Sequence, residues 1–280
     1  MIQRARTAGC QKLIVTGSDL AESRKAVELA RAHPGTIYAT VGVHPCSSLK
    51  FTKPASSAET QLAALRALAE EASRAGHAVA FGEIGLDYDR LGLCPKDVQL
   101  KYFAAQLDVA AGLDMPLFLH SRAAHADFVG LLRERLDKLP RRGVVHSFTG
   151  TAEEMRELVA LGFDIGVNGC SLKTTENVEV VREIPLENIQ LETDGPWCEM
   201  RASHASAGFM EGWKGDAWES VKKEKWVEGK LVKGRNEPCT IGRVAWAVAR
   251  IKGVEVEELT EAAWANTVKM FGLGEGGAAN

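Results

Sequence analysis

The chain has 280 residues, 45% of them hydrophobic and 25% charged, the composition of an ordinary globular protein and not of a collagen-like or disordered chain. A formal net charge of −3 excludes global attraction to nucleic acid, so any polyanion contact must come from a local basic patch or a bound cation. Six cysteines without a CxxC pair, and no apolar run near the roughly 20 residues that span a bilayer, point to a soluble intracellular protein with reduced thiols, in the nucleus, the cytoplasm or both.

The opening IQRARTAG reads as the last turns of a helix that leads into a first apolar run, Lys12–Thr16. Six more runs follow at Ile37–Val43, Ala78–Phe81, Leu117–Leu119, Gly143–Val145, Phe163–Val167 and Ile189–Glu192, each closed by Gly or polar residues and then by helical periodicity. Between them, Leu62, Leu65, Leu68 and Ala69 form an apolar stripe that stops at Gly76. A helix opened by Pro95-Lys96-Asp97 carries Phe103 and Leu107 and stops at Gly112. This alternation is that of an α/β protein built from βα units.

The polar residues that close the runs choose between an open sheet and a barrel. Gly17, His44, Glu83, His120, His146, Asn168 and Asp194 are spread along the whole chain instead of clustering at one switch point. The pattern predicts a (β/α)8 TIM barrel of the metal-dependent hydrolase type. Seven runs are one short of eight, so the chain reads as lacking most or all of strand 1. Residues 1–280 are expected to form one domain, with an irregular lid over about 197–235.

Four of the closing residues, Glu83, His120, His146 and Asp194, are of metal-ligand type. Carboxylates and imidazoles at the carboxyl ends of parallel strands converge on one mouth, where a cation can polarise an ester and activate water. Taken singly, each carboxylate is as well read as a structural ion pair and each histidine as a satisfied core residue. Four at successive strand ends favour a site. His44 is open to three readings, as a ligand, as a phosphate contact or as a buried histidine bonded to a carbonyl; phosphate contact is preferred. Arg122 either grips a phosphate or pairs with a carboxylate. Asp87 is expected to cap the following turn, with a bond to a ligand side chain as the alternative. His33 and His77 read as surface residues, His125 as a helix residue packing the mouth, and His204 as weaker still.

The blocks Gly42-Val-His44-Pro45, Gly82-Glu83-Ile-Gly85-Leu-Asp87, Leu119-His120-Ser-Arg122, Val145-His146-Ser-Phe148-Thr-Gly150 and Glu192-Thr-Asp194-Gly-Pro196-Trp together resemble the TatD family of metal-dependent deoxyribonucleases. The likeness runs nearly end to end. Asn168-Gly-Cys-Ser-Leu-Lys173 and Gly234-Arg-Asn-Glu-Pro-Cys239 resemble its eukaryotic, TatD domain-containing branch. The resemblance implies hydrolysis of DNA phosphodiester bonds, from a 3′ end or by single-strand or endonucleolytic action. It implies Glu83, His120, His146 and Asp194 as metal ligands, Asp194 also accepting a proton from the attacking water; His44 and Arg122 stand as substrate-binding candidates on the residue reading above. The cofactor is expected to be one or two divalent ions, Mg2+ named first, with Mn2+ or Zn2+ also open. DNA is the expected partner, with no membrane and no obligate protein partner. TatD-like proteins commonly carry polar ligands at the end of a first strand, and this chain reads as beginning after it. Two alternatives stand: another metallohydrolase of the amidohydrolase-like barrel class, although no Lys closes a run here, or an inactive, truncated binding protein.

Residues 201–235 are the least regular. Phe209, Trp213, Trp218 and Trp226 interleave with Lys214, Lys222, Lys223, Lys225, Lys230 and Lys233, a mixture suited to stacking bases and tracking phosphates. Asp216, Glu219, Glu224 and Glu228 dilute that charge and favour a lid with buried tryptophans. Pro238 sits where it would open the final helical region.

Overall fold

Each of the seven apolar runs becomes a strand, and the helical stretches between them become helices. A computed structural model describes residues 1–53, 57–215 and 218–274; Asp216 of the expected lid lies outside the described residues. In chain order the main elements are α1 (Ile2–Thr7), β1 (Leu13–Thr16), α2 (Leu20–Ala32), β2 (Ile37–Val41), α3 (Ala58–Arg74), β3 (Ala78–Asp87), α4 (Lys96–Ala110), β4 (Leu117–Arg122), α5 (His125–Arg133), β5 (Gly143–His146), α6 (Ala152–Ala160), β6 (Asp164–Val167), α7 (Thr175–Glu183) and β7 (Ile189–Leu191). The two-residue strands β8 (Ser220–Val221) and β9 (Leu231–Val232) follow, then α8 (Ile241–Lys252) and α9 (Val256–Phe271). No helix among the described residues is long and apolar enough to cross a membrane.

Packing divides the chain into two compact units. The first comprises Lys12–His146, Ala160–Asp164 and the chain from Thr267. Its sheet is wholly parallel and follows chain order from β1 to β5. Phe81, Ile84, Leu86, Leu117, Leu119 and Val145 are fully buried, the near-continuous apolar content expected of parallel strands covered by helices. Over them lie α4 and α5, whose Phe103 and Phe128 stack at 5.4 Å between ring centroids. Two buried glutamines of α4 fasten the helix to the end of β3 and to the segment just after β2. Gln99 accepts from Asp87 N at 2.7 Å and donates to Asp87 O at 2.8 Å, and Gln106 accepts from Val43 N at 2.8 Å and donates to Val43 O at 3.0 Å. The helix α2 begins at Asp19, whose side chain accepts from Glu22 N at 2.9 Å and pairs with Lys50.

The second unit comprises Met1–Gln11, Ser147–Val159 and Ile165–Asn266. In it β6 pairs parallel with β7, Ile165 opposite Ile189. Val244, Ala247, Val248 and Ile251 make the buried stripe of α8. Pro238 opens a short 3-10 turn ahead of α8, as its fixed φ suits. Arg4 of α1 forks onto Glu237 with two hydrogen bonds of 2.9 Å, holding the start of the chain to that turn. The segment read as a lid carries β8, β9 and short 3-10 turns. Its tryptophans divide: Trp213 is half-buried, 5.9 Å from Trp246, whereas Trp226 is exposed.

Candidate metal centre

Strand β3 is longer than its apolar run. Glu83 was expected just past the end of Ala78–Phe81, but the strand continues to Asp87 and Glu83 lies inside it. The sequence hides this because Gly82, Glu83 and Gly85 interrupt the apolar pattern. Between Gly82 and Ile84 the register against β4 shifts, so Glu83 is the extra residue of a bulge, the device that re-aims a side chain out of a ladder. Gly85 cannot be replaced: with φ +149°, a Cβ there would lie 1.8 Å from His120 O. His120, likewise, lies within β4 and not beyond it. Register then places His120 directly beside His146, the last residue of β5.

These placements bring three of the four expected ligands together within the first unit. Glu83 Oε1 lies 2.7 Å from His146 Nε2, 2.9 Å from His120 Nδ1 and 3.4 Å from His44 Nε2. His120 Nδ1 and His146 Nε2 are 3.3 Å apart. His44, its Nδ1 accepting from Cys46 N at 3.1 Å, stands edge-on to His120 at 4.6 Å between ring centroids. Asp87 has no cap bond. Its Oδ2 lies 3.2 Å from His120 Nε2, the alternative of a bond to a ligand side chain. A cap fails because the backbone of Asp87 is held by Gln99 and its side chain turns inward. Arg122 is 3.9 Å from Asp89 Oδ2, a loose ion pair.

The electrostatics of the cluster are those of anions awaiting a positive charge. Burial opposes ionisation of Glu83, yet the adjacent His146 and His120 hold its pKa well below the usual carboxylate range. Burial likewise opposes a charged His120, and its bonds to Asp87 and Glu83 overcome this and raise its pKa. Burial pushes His44 down to about 4. Burial and the Asp87 carboxylate push the Cys46 thiol up to about 12. Asp87 Oδ1 is buried without a hydrogen-bond partner, and an orphaned carboxylate oxygen is costly unless something cationic meets it. His44, Glu83 and His120 present ligand atoms all within 4.8 Å of one another, as do His44, Cys46 and Asp87. An imidazole and carboxylate donor set at this spacing fits a divalent cation.

Asp194, the fourth expected ligand, belongs to the second unit. It follows β7 in a turn closed by Trp197 N donating to its carbonyl at 2.8 Å, and its φ of +52° is one that Asp tolerates better than most residues. Its Oδ2 accepts from Cys198 Sγ at 3.2 Å. Cys198 lies 2.6 Å from Cys170, and that bond, burial and Asp194 all raise its thiol pKa. Beside it, Glu192 accepts from Ser147 N and Asn168 Nδ2, both at 3.3 Å.

The family model described as TatD related DNase matches residues 1–272. The chain belongs to the TatD-related DNase family. It is 48% identical over 271 residues to Deoxyribonuclease Tat-D of Schizosaccharomyces pombe, covering 97% of this chain and 86% of that one. It is 35% identical to a protein of Erwinia amylovora named 3′-5′ ssDNA/RNA exonuclease TatD, covering 98% and 93%. Among solved structures, a TatD family hydrolase from Entamoeba histolytica matches with a TM-score of 0.85 at 32% identity, covering 96% of this chain and 87% of that one. An uncharacterized amidohydrolase from Saccharomyces cerevisiae matches with a TM-score of 0.80 at 35% identity, covering 96% and 92%. The yeast relatives set the chain in the eukaryotic TatD branch, as a deoxyribonuclease and hence a hydrolase of ester bonds.

Residue-by-residue reading missed the residues that aim the site. Gln99 and Gln106 lie seven apart on α4, a polar pair set into the buried face of Tyr102, Phe103, Leu107 and Ala110, and that intrusion is a signal sequence alone can show. Asn236, which anchors the Asp194 turn, carries no comparable signal beyond its place in the Arg-Asn-Glu-Pro block.

Proposed function

We propose that the chain hydrolyses DNA phosphodiester bonds with a divalent cation held by Glu83, His120 and His146, with Asp194 completing the set. The observation that carries this reading is the convergence of three imidazole nitrogens on Glu83 Oε1. Glu83, His120 and His146 would hold the cation, which would supply polarisation of the phosphodiester and activation of water near neutral pH. Asp194 takes the proton that the attacking water gives up. Arg122, at the end of β4 two residues past His120, turns its guanidinium to a phosphate oxygen, and Asp87 holds the His120 ring through Nε2. His44 supports the same cluster from the β2 side and contacts substrate phosphate. The name of the Erwinia relative favours a single-stranded substrate attacked from its 3′ end. A donor set of two imidazoles and two carboxylates suits Mg2+, named first, and also Mn2+ or Zn2+. The strands are those of a (β/α)8 barrel of the metal-dependent hydrolase type, and the six free cysteines suit the reducing nucleus or cytoplasm.

Glu83→Gln tests the reading, since it keeps the shape and removes the charge. Cation-dependent cleavage of single-stranded DNA falls about hundredfold or more, and calorimetric cation binding weakens with it. Full activity in Glu83→Gln would remove the proposed centre.

A further inference from the structure

Trp197 is 70% exposed, more than Leu93, Val227 or Met1 among the exposed large hydrophobic residues. An indole left in water on a slack loop would mean little, but this segment is not slack. Asn236, itself buried, donates from Nδ2 to Thr193 O at 2.8 Å and from its backbone N to Pro196 O at 2.9 Å. Its Oδ1 is fixed in turn by Thr240 Oγ1 at 2.7 Å and Glu237 N at 3.1 Å. A Cβ on Gly195 would approach Asn236 O to 3.1 Å, so backbone lies close against backbone. The turn is therefore held from both sides while the ring at its end stands in solvent, a rigid aromatic that loses little conformational freedom when a ligand covers it.

The occupant follows from the distance to Asp194. The hydrogen bond from Trp197 N to Asp194 O closes a four-residue turn, which brings the two Cα atoms within about 7 Å. That is roughly the rise of two stacked nucleotides at about 3.4 Å each. A strand whose phosphodiester is presented to Asp194 therefore carries a neighbouring base within reach of the indole face, and every base offers a π-face to it. Resting on the proposed action of Asp194, we infer that Trp197 is the stacking platform for a base flanking the cleaved linkage, a positioning residue that makes the enzyme prefer nucleotides with bases over a bare sugar-phosphate chain. The Arg235-Asn236-Glu237-Pro238 block acquires a role by the same observation, as the clamp that keeps the platform rigid.

The test crosses two changes. Wild type, Trp197→Ala and Trp197→Phe are assayed with a cation on a single-stranded oligonucleotide and on versions carrying an abasic nucleotide at each position flanking the cleaved linkage in turn. Wild type prefers the intact strand by about tenfold in kcat/KM at one of these positions, the scale of one base stack. Trp197→Ala loses that preference, with the change in KM, and Trp197→Phe retains most of it. A preference undiminished in Trp197→Ala, or an equal loss on intact and abasic strands, overturns the inference, because a merely structural tryptophan does not distinguish the two substrates. Wild type inert toward every strand overturns the nuclease reading, and the platform with it.

Discussion

Glu83 Oε1 has three imidazole nitrogens within 3.4 Å and Asp87 Oδ1 has no partner, an uneven distribution that a cation would level. In the metal-free protein the proton on His120 supplies part of that charge, which gives two opposite pH trends. His120 has a raised folded pKa, so its contribution to stability is complete below the unfolded value of about 6.5 and is lost as pH rises through the folded value. A cation requires neutral imidazole, so its affinity weakens as pH falls. Calorimetry between about pH 5 and 8 should show tighter binding on the alkaline side and proton release on binding on the acid side, where His120 still carries its proton, while thermal melts of the chelated protein lose stability as pH rises. At Asp194, the Asn variant keeps shape and loses basicity. Cleavage falls by about a hundredfold or more with unchanged circular dichroism, and a variant with wild-type turnover would leave the proton of the attacking water unaccounted for.

Elements set the aim of these groups. The β3 bulge turns Glu83 out of the ladder, and Gly85 lets β3 close on β4. Gly85→Ala would put a methyl group against His120 O, and we expect a loss of more than about 3 kcal/mol in denaturant unfolding together with loss of cation binding. At the start of α2, Asp19→Ala should cost about 1 kcal/mol, nearly all from the cap bond to Glu22 N because the Lys50 partner is half exposed. Burial opposes the charge of Asp19, but Lys50 and the helix amides lower its pKa. Its contribution is therefore present above about pH 4 and fades as pH falls through the folded value, so wild type and variant should converge in acid melts. Strand existence was legible from apolar runs, but strand ends were not, since Gly82, Glu83, His120 and Arg122 are polar or glycine residues that only tertiary pairing commits to a ladder. The register of His120 against His146 was equally invisible, because it is set by where β4 and β5 begin and not by spacing in the chain.

For the whole molecule, cation binding is a source of stability that chelation removes. At a hundredfold excess over Kd the gain is about 2.7 kcal/mol, a shift of several degrees in Tm that Glu83→Gln should abolish. An equal shift in that variant would place the stabilising ion elsewhere. Motif blocks gave the family because those residues are chemically distinctive. The supports escaped notice because glutamine and asparagine are ordinary surface residues until the fold buries them.

The two glutamines of α4 have a consequence for anyone recombining this protein. Gln99 and Gln106 are seven residues apart, two helical turns or about 10.5 Å, and each grips the backbone N–H and C=O of one residue, Asp87 at the end of β3 and Val43 after β2. The helix is thus a ruler with two marks, one reading the position of Val43 and the other that of Asp87. A chimera that borrows either segment from a relative without its α4, or that shortens α4 by one residue between the marks, would turn one amide about 100° away from its segment. The smallest exchangeable module of this enzyme is therefore neither segment alone but the block from Val43 to Ala110, taken whole.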